Sequence, residues 1–143
     1  MRKTTFRGKL SHSKEWIEGN LINANNGQPY IIPSNIFEPD GHHLIINSDN
    51  PFWVDAETVG QYWRTVNEID IYDGDIFTIN GKYPKVVKYD ETHACFCIGN
   101  IEQLEFQDTF DIWQTPDPKW WEERALMIEI IGNIHDNPEL LLK

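Results

Sequence analysis

Ile71-Tyr72-Asp73-Gly74-Asp75-Ile76-Phe77-Thr78-Ile79-Asn80-Gly81 begins a run of turns and alternating residues that continues through Val86-Val87-Lys88-Tyr89-Asp90 to Ala94-Cys95-Phe96-Cys97-Ile98. Asp73-Gly74 reads as a tight turn that delivers a strand. Residues 75–79 alternate, with Ile76 and Thr78 on one face and Phe77 and Ile79 on the other, which is the period of a strand. Asn80-Gly81 is the best hairpin signal in the chain, because both residues tolerate positive φ. Residues 85–89 form the returning strand, Asp90-Glu91-Thr92 turns again, and residues 94–98 supply a third strand. Strand, hairpin, strand, turn, strand predicts an SH3-like barrel in the C-terminal half.

Toward the N-terminus the same alternation of short strands and polar turns recurs. Residues 6–10 make a short strand, and Ser11-His12-Ser13-Lys14 a turn. Residues 16–22, with Trp16, Ile17, Gly19 and Ile22, suit a bent strand. Asn25-Asn26-Gly27 is a turn signal. Tyr30-Ile31-Ile32 is a strand ended by Pro33, and His43-Leu44-Ile45-Ile46 a further one. In residues 52–63, Asp55 suits the cap of one helical turn, with Glu57 favoured near its positive end and Gly60 limiting its length.

Toward the C-terminus, residues 101–113 fit neither the helical nor the strand period. Pro116 and Pro118 break the chain, Trp120-Trp121-Glu122-Glu123-Arg124 suits a helical turn, and residues 126–131 form a β-branched strand closed by Gly132. Asn137-Pro138-Glu139-Leu140-Leu141-Leu142 reads as a capped terminal turn. The whole is therefore expected to be mainly β, a meander of short strands with one or two short helical turns. The 143 residues suit a single domain, with the N-terminal meander over about 1–53 and the barrel-like part over about 54–143.

Composition narrows the activity. A net charge of −11 disfavours direct binding to nucleic acid, whose phosphates repel it. No run approaches the ~18 apolar residues of a membrane span, and Met1-Arg2-Lys3-Thr4-Thr5-Phe6 has no apolar stretch behind it, so a cytoplasmic protein without membrane partners is expected. Cys95 and Cys97, one residue apart, suit free thiols in a reducing compartment.

The chemistry-bearing groups are few. His93, Cys95 and Cys97 share one strand face and are metal-ligand types, but their spacing is not that of a Cys-x-x-Cys knuckle, and small core thiols explain the cysteines better. Asp70, Asp73 and Asp75 around Gly74 superficially suggest a calcium loop; the glycine falls at the wrong place, and a hydrogen-bonded turn is the simpler reading. There is no nucleophile elbow and no phosphate loop. No catalytic residue, cofactor or metal is therefore expected. A hydrolase would have to use Asp55, Glu57 or Asp75. Among six tryptophans, Trp53, Trp63, Trp120 and Trp121 are candidates for stacking on a sugar or base, although core and interface roles are commoner for tryptophan. Trp120 and Trp121 are consecutive and cannot easily both face inward, which makes Trp63, Trp120 and Trp121 the candidate interaction surface.

Several segments taken in order resemble the YopX family of bacteriophage and prophage proteins: Phe6-Arg7-Gly8-Lys9, Trp16-Ile17-Glu18-Gly19-Asn20-Leu21, Val54-Asp55-Ala56-Glu57-Thr58-Val59-Gly60-Gln61-Tyr62, Ile71-Tyr72-Asp73-Gly74-Asp75-Ile76, Val86-Val87-Lys88-Tyr89-Asp90 and the tail Ile131-Gly132-Asn133-Ile134-His135-Asp136-Asn137-Pro138-Glu139-Leu140-Leu141. Residues 63–70 depart from the family pattern, which has a Gly-Leu-x-Asp segment and then Gly-Lys in this interval. The resemblance implies a β-rich fold and a phage-derived gene, and it carries no catalytic residues. The expected function is a non-enzymatic protein-binding or assembly module, its partner a phage or host protein or a second copy of the chain. An acidic decoy that mimics nucleic acid toward a host protein and a small carboxylate hydrolase are the alternatives.

Overall fold

Polar turns interrupt every apolar run in the first part of the chain, so its strands are short. In the computed structural model, which describes residues 5–24, 27–33, 52–106 and 112–141, β1 (Phe6–Lys9), β2 (Trp16–Asn23) and β3 (Pro29–Ile32) form an antiparallel meander. The register runs from Phe6↔Gly19 to Lys9↔Trp16 and from Asn20↔Ile32 to Asn23↔Pro29. On its other side β1 meets the start of β4 (Gly60–Val66), where Arg7 pairs with Gly60 and Phe6 with Gln61. The strand expected at residues 43–46 lies outside the described residues.

These strands belong to the first of two compact units, residues 1–62; the second is residues 63–143, and the division falls inside β4. The first unit is built around Ile31, Ile32 and Val54, all at most 3% exposed. Gly19 is required here by a close approach: a Cβ on it would collide with the backbone carbonyl of Ile32. The 3-10 turn Ala56–Thr58 forms where a helical turn was expected, but Asp55 makes no side-chain cap bond to it. Thr58 is the organising side chain instead, accepting the Lys9 N–H at 2.9 Å and donating to the Asp55 carbonyl at 2.6 Å.

In the second unit the end of β4 turns into β5 (Ile69–Tyr72) through Asn67 and Glu68, both at positive φ (50° and 66°). This hairpin occupies the interval that departs from the family pattern, and it escaped sequence reading because neither turn residue is glycine. β6 (Asp75–Ile79), β7 (Lys82–Asp90) and β8 (Cys95–Asn100) follow as read, with the Asn80-Gly81 turn at φ 55° and 73°. The helix α1 (Pro118–Arg124) starts two residues earlier than expected: Asp117 accepts the Trp120 N–H at 2.9 Å, and Pro118 opens the helix as its first residue instead of breaking the chain. β9 (Ile128–Asn133) then returns antiparallel to β6.

The sheet order is β8-β7-β6-β9 here and β3-β2-β1-β4-β5 in the other sheet, and neither closes on itself. Among the described residues no sheet closes, so the SH3-like barrel expected in the C-terminal half is not confirmed. The reason lies in the side chains. A barrel wall faces its core with one side only, whereas β6, β7 and β8 are apolar on both. Phe77, Val87, Phe96, Ile98 and Ile128 pack on one face with Val66, Ile71 and Trp121. Ile76, Val86 and Cys97 pack on the other with Trp113, Leu104, Ile134, Leu140 and Leu141. The sheet is a middle layer, and the adjacent apolar pairs Ile76-Phe77 and Val86-Val87 are its signature.

The tail closes one face as a 3-10 turn, Pro138–Leu141, with Leu140 and Leu141 packed as expected. Asn133 accepts the N–H groups of His135 and Asp136, both at 2.9 Å, and the Ile134 N–H donates to the Gly74 carbonyl at 2.9 Å. The Gly74 N–H donates to the Val87 carbonyl at 2.9 Å, and Asp73 accepts the Tyr89 N–H at 3.1 Å. Three of the segments that carry the family resemblance thus bond to one another around Gly74, which sits at φ 92° as only glycine does at ease.

Candidate functional site

Two of the three carboxylates proposed for hydrolysis, Asp55 and Asp75, are engaged. Asp55 forms an ion pair with Lys14 at 2.7 Å, and that bond holds its carboxyl below the usual range against the opposing effect of partial burial. Asp75, 2% exposed, accepts the Tyr72 N–H at 2.8 Å. Glu57 is exposed on its 3-10 turn. Asp55 and Glu57 belong to the first unit and Asp75 to the second.

His93, Cys95 and Cys97 have three different environments. Cys97 is fully buried against Ile76, Val86 and Trp113, its Sγ donates to the Lys88 carbonyl at 3.5 Å, and burial pushes the thiol up to about 11. His93 is half exposed and bound to Asp90, whose Oδ2 takes the backbone N–H at 2.8 Å and lies 2.6 Å from Nδ1. Lys88 contributes to the same corner, 3.5 Å from Asp90 and 4.9 Å above the Trp113 ring. Cys95 is half-buried. Among the described residues no group of three or more His, Cys, Asp and Glu side chains is arranged to hold a metal ion.

Trp63, Trp120 and Trp121 are brought together, but Trp121 faces inward. It is 1% exposed and lies at the centre of an aromatic cluster, edge-on to Trp63 at 5.1 Å and to Trp120 at 4.9 Å. Trp63 stacks flat on Phe96 at 5.1 Å. Arg64 lies over Trp121 at 5.2 Å; Arg124 covers Trp120 at 4.5 Å and donates to its carbonyl. Trp121 is therefore a core residue and presents nothing to a partner, while Trp63 and Trp120 are half-buried supports around it. Asp117 sets this outcome: by fixing the start of α1 it turns position 121 onto the sheet.

The exposed apolar side chains are elsewhere. Leu126 is 88% exposed and Tyr83 is 67% exposed. Leu126 lies in the turn between α1 and β9, and this turn is laced to the Asn80-Gly81 tip: Asn80 donates its N–H to the Met127 carbonyl at 2.9 Å and its side-chain amide to the Met127 sulfur at 3.1 Å. Tyr83 leaves the same tip at φ 54°, in the irregular stretch between Ile79↔Lys82 and Phe77↔Lys85 where β7 has one residue more than β6. A bulky side chain in left-handed backbone is strained, and here the strain is not offset by burial. Ile131 and Glu129, also exposed, continue along β9. Sequence reading passed over these residues because residues 126–131 look like one mostly apolar strand, interrupted by Glu129 alone; the signal was Tyr83-Pro84, one residue beyond a two-residue hairpin turn.

Charge is uneven along the chain. Residues 63–143 hold seven Lys and Arg against sixteen Asp and Glu, whereas residues 1–62 hold five against seven. No helix among the described residues is long and apolar enough to cross a membrane.

A family model described as YopX protein matches residues 5–142, nearly the whole chain, and the chain belongs to that family. A search of curated proteins returned no match.

Proposed function

We propose that this member of the YopX family is a phage-type, non-enzymatic binding or assembly module acting in the bacterial cytoplasm, and that its partner-facing surface is the end of the second unit that carries Tyr83 and Leu126. The observation that carries this reading is Tyr83: a large aromatic side chain held exposed by a strained backbone contributes little to folding, and such outliers concentrate where a protein makes contacts. Leu126 beside the same hairpin tip adds apolar area of the kind that interfaces bury. The partner is a phage or host protein; a second copy is the competing occupant.

Affinity purification from the host, with and without phage induction, tests this reading with wild type and Leu126→Ser side by side. A partner retained by wild type and lost by the variant supports it. Equal retention by both, with the variant folded, removes the surface from consideration.

The acidic-decoy reading is favoured by one observation, the concentration of sixteen carboxylates in residues 63–143. It requires that the captured partner be a nucleic-acid-binding protein displaced by duplex DNA, with affinity falling steeply as salt rises. Capture that is insensitive to both DNA and salt excludes it.

A further inference from the structure

We infer that the outer edge of β9 is a docking edge for an extended segment of a basic partner protein, which adds to the sheet as a fifth strand. The inference rests on the binding-module reading and names its chemistry.

The two edges of the β8-β7-β6-β9 sheet are treated differently. At the β8 edge Gln114 exchanges two backbone bonds with Ile98, both 2.8 Å, so the chain itself covers that side. At the β9 edge no backbone partner lies on the outer side among the described residues. The bonding phase of β9 follows from the Asn80-to-Met127 bond, which continues the register Ile79↔Ile128, Thr78↔Glu129, Phe77↔Ile130. Bonding alternates along an antiparallel ladder, so the Met127 C=O and both backbone groups of Glu129 turn to β6, while the Met127 N–H donates to the Arg124 carbonyl at 2.9 Å. The N–H and C=O groups of Ile128 and Ile130 point to the open edge.

The side chains along that edge select the occupant. Leu126, Glu129 and Ile131 are exposed. A second copy is disfavoured in the symmetric register that would pair Ile128 with Ile130, because Glu129 would then oppose Glu129 of the other copy. The register shift beyond Ile130 limits edge pairing further along the strand. A strand carrying Lys or Arg opposite Glu129 replaces that repulsion with attraction, and it suits a unit with sixteen acidic against seven basic residues. Strand addition draws affinity from main-chain bonds and specificity from alternate side chains; here those are one cation for Glu129 and apolar groups for Leu126 and Ile131.

The test is amide NMR of the full chain with two short capped peptides, one alternating valine and lysine, the other valine and glutamate. The lysine peptide is expected to shift the Ile128 and Ile130 amides, slow their hydrogen exchange, and bind about tenfold more tightly than the glutamate peptide, a difference of about 1.4 kcal/mol. Glu129→Lys, with folding checked by tryptophan fluorescence, is expected to reverse the preference. Shifts confined to other residues, no binding, or a preference unchanged in Glu129→Lys overturns the inference. So does a dimer in light scattering whose Ile128 and Ile130 amides are already protected without peptide. Failure here is separable from failure of the module reading: a partner still captured by Glu129→Lys but lost by Leu126→Ser removes the edge alone, whereas capture indifferent to both removes the module surface as well.

Discussion

At Gly19 the backbone of Ile32 occupies the place where a side chain would begin. Gly19→Ala is expected to destabilise the first unit by about 1–3 kcal/mol, the usual cost of overpacking, read as a lower urea midpoint. Asp90 gives a pH-dependent counterpart. Burial opposes its ionisation, but the hydrogen bonds from the His93 ring and backbone N–H outweigh that, so its carboxyl sits below the usual range. A depressed carboxyl stabilises the fold above its unfolded value and loses that contribution as pH falls through the folded one. Asp90→Asn is therefore expected to lower stability at pH 7 and to flatten its fall between pH 5 and about pH 2, which denaturant midpoints across that range will show. Gly19 was legible as a residue suited to a bend but not as a close approach, because the obstructing carbonyl comes from a different strand. Asp90 was legible only as part of a turn, since its contact with His93 needs that turn's geometry.

Elements were legible where the signal was local. Asn80-Gly81 set the β6–β7 hairpin, and the last leucines found their place in the core. The β4–β5 hairpin was missed because Asn67 and Glu68 take left-handed backbone without the glycine that would announce it. The start of α1 was missed because Pro118 was read as a breaker, although proline is favoured at the first position of a helix. Asp117 is the residue to test at this scale. Asp117→Ala removes the bond to the Trp120 N–H and is expected to cost about 1 kcal/mol, with a red shift in fluorescence as α1 loosens over the aromatic cluster.

For the whole molecule, sequence reading reached the mainly β class and the family and missed the layering. A barrel and a two-sided sheet share the same order of strands and turns; they differ in whether both faces are apolar, and Ile76-Phe77, Val86-Val87 and Phe96-Cys97-Ile98 were the residues that answered it. The candidate surface moved for the same reason. Once the sheet is a middle layer, α1 must cover one face, and Trp121 becomes core. Trp121→Ala is expected to cost about 3–5 kcal/mol, as large buried aromatics do, whereas Leu126→Ser should leave stability within about 0.5 kcal/mol of wild type. Tyr83 is kept exposed at a cost to folding if it serves a contact. Urea unfolding of Tyr83→Gly, followed by tryptophan fluorescence, measures that cost. Glycine relieves the left-handed strain, so the variant is expected to be more stable than wild type by about 1 kcal/mol; a variant equally or less stable would contradict the claim and return Tyr83 to the fold.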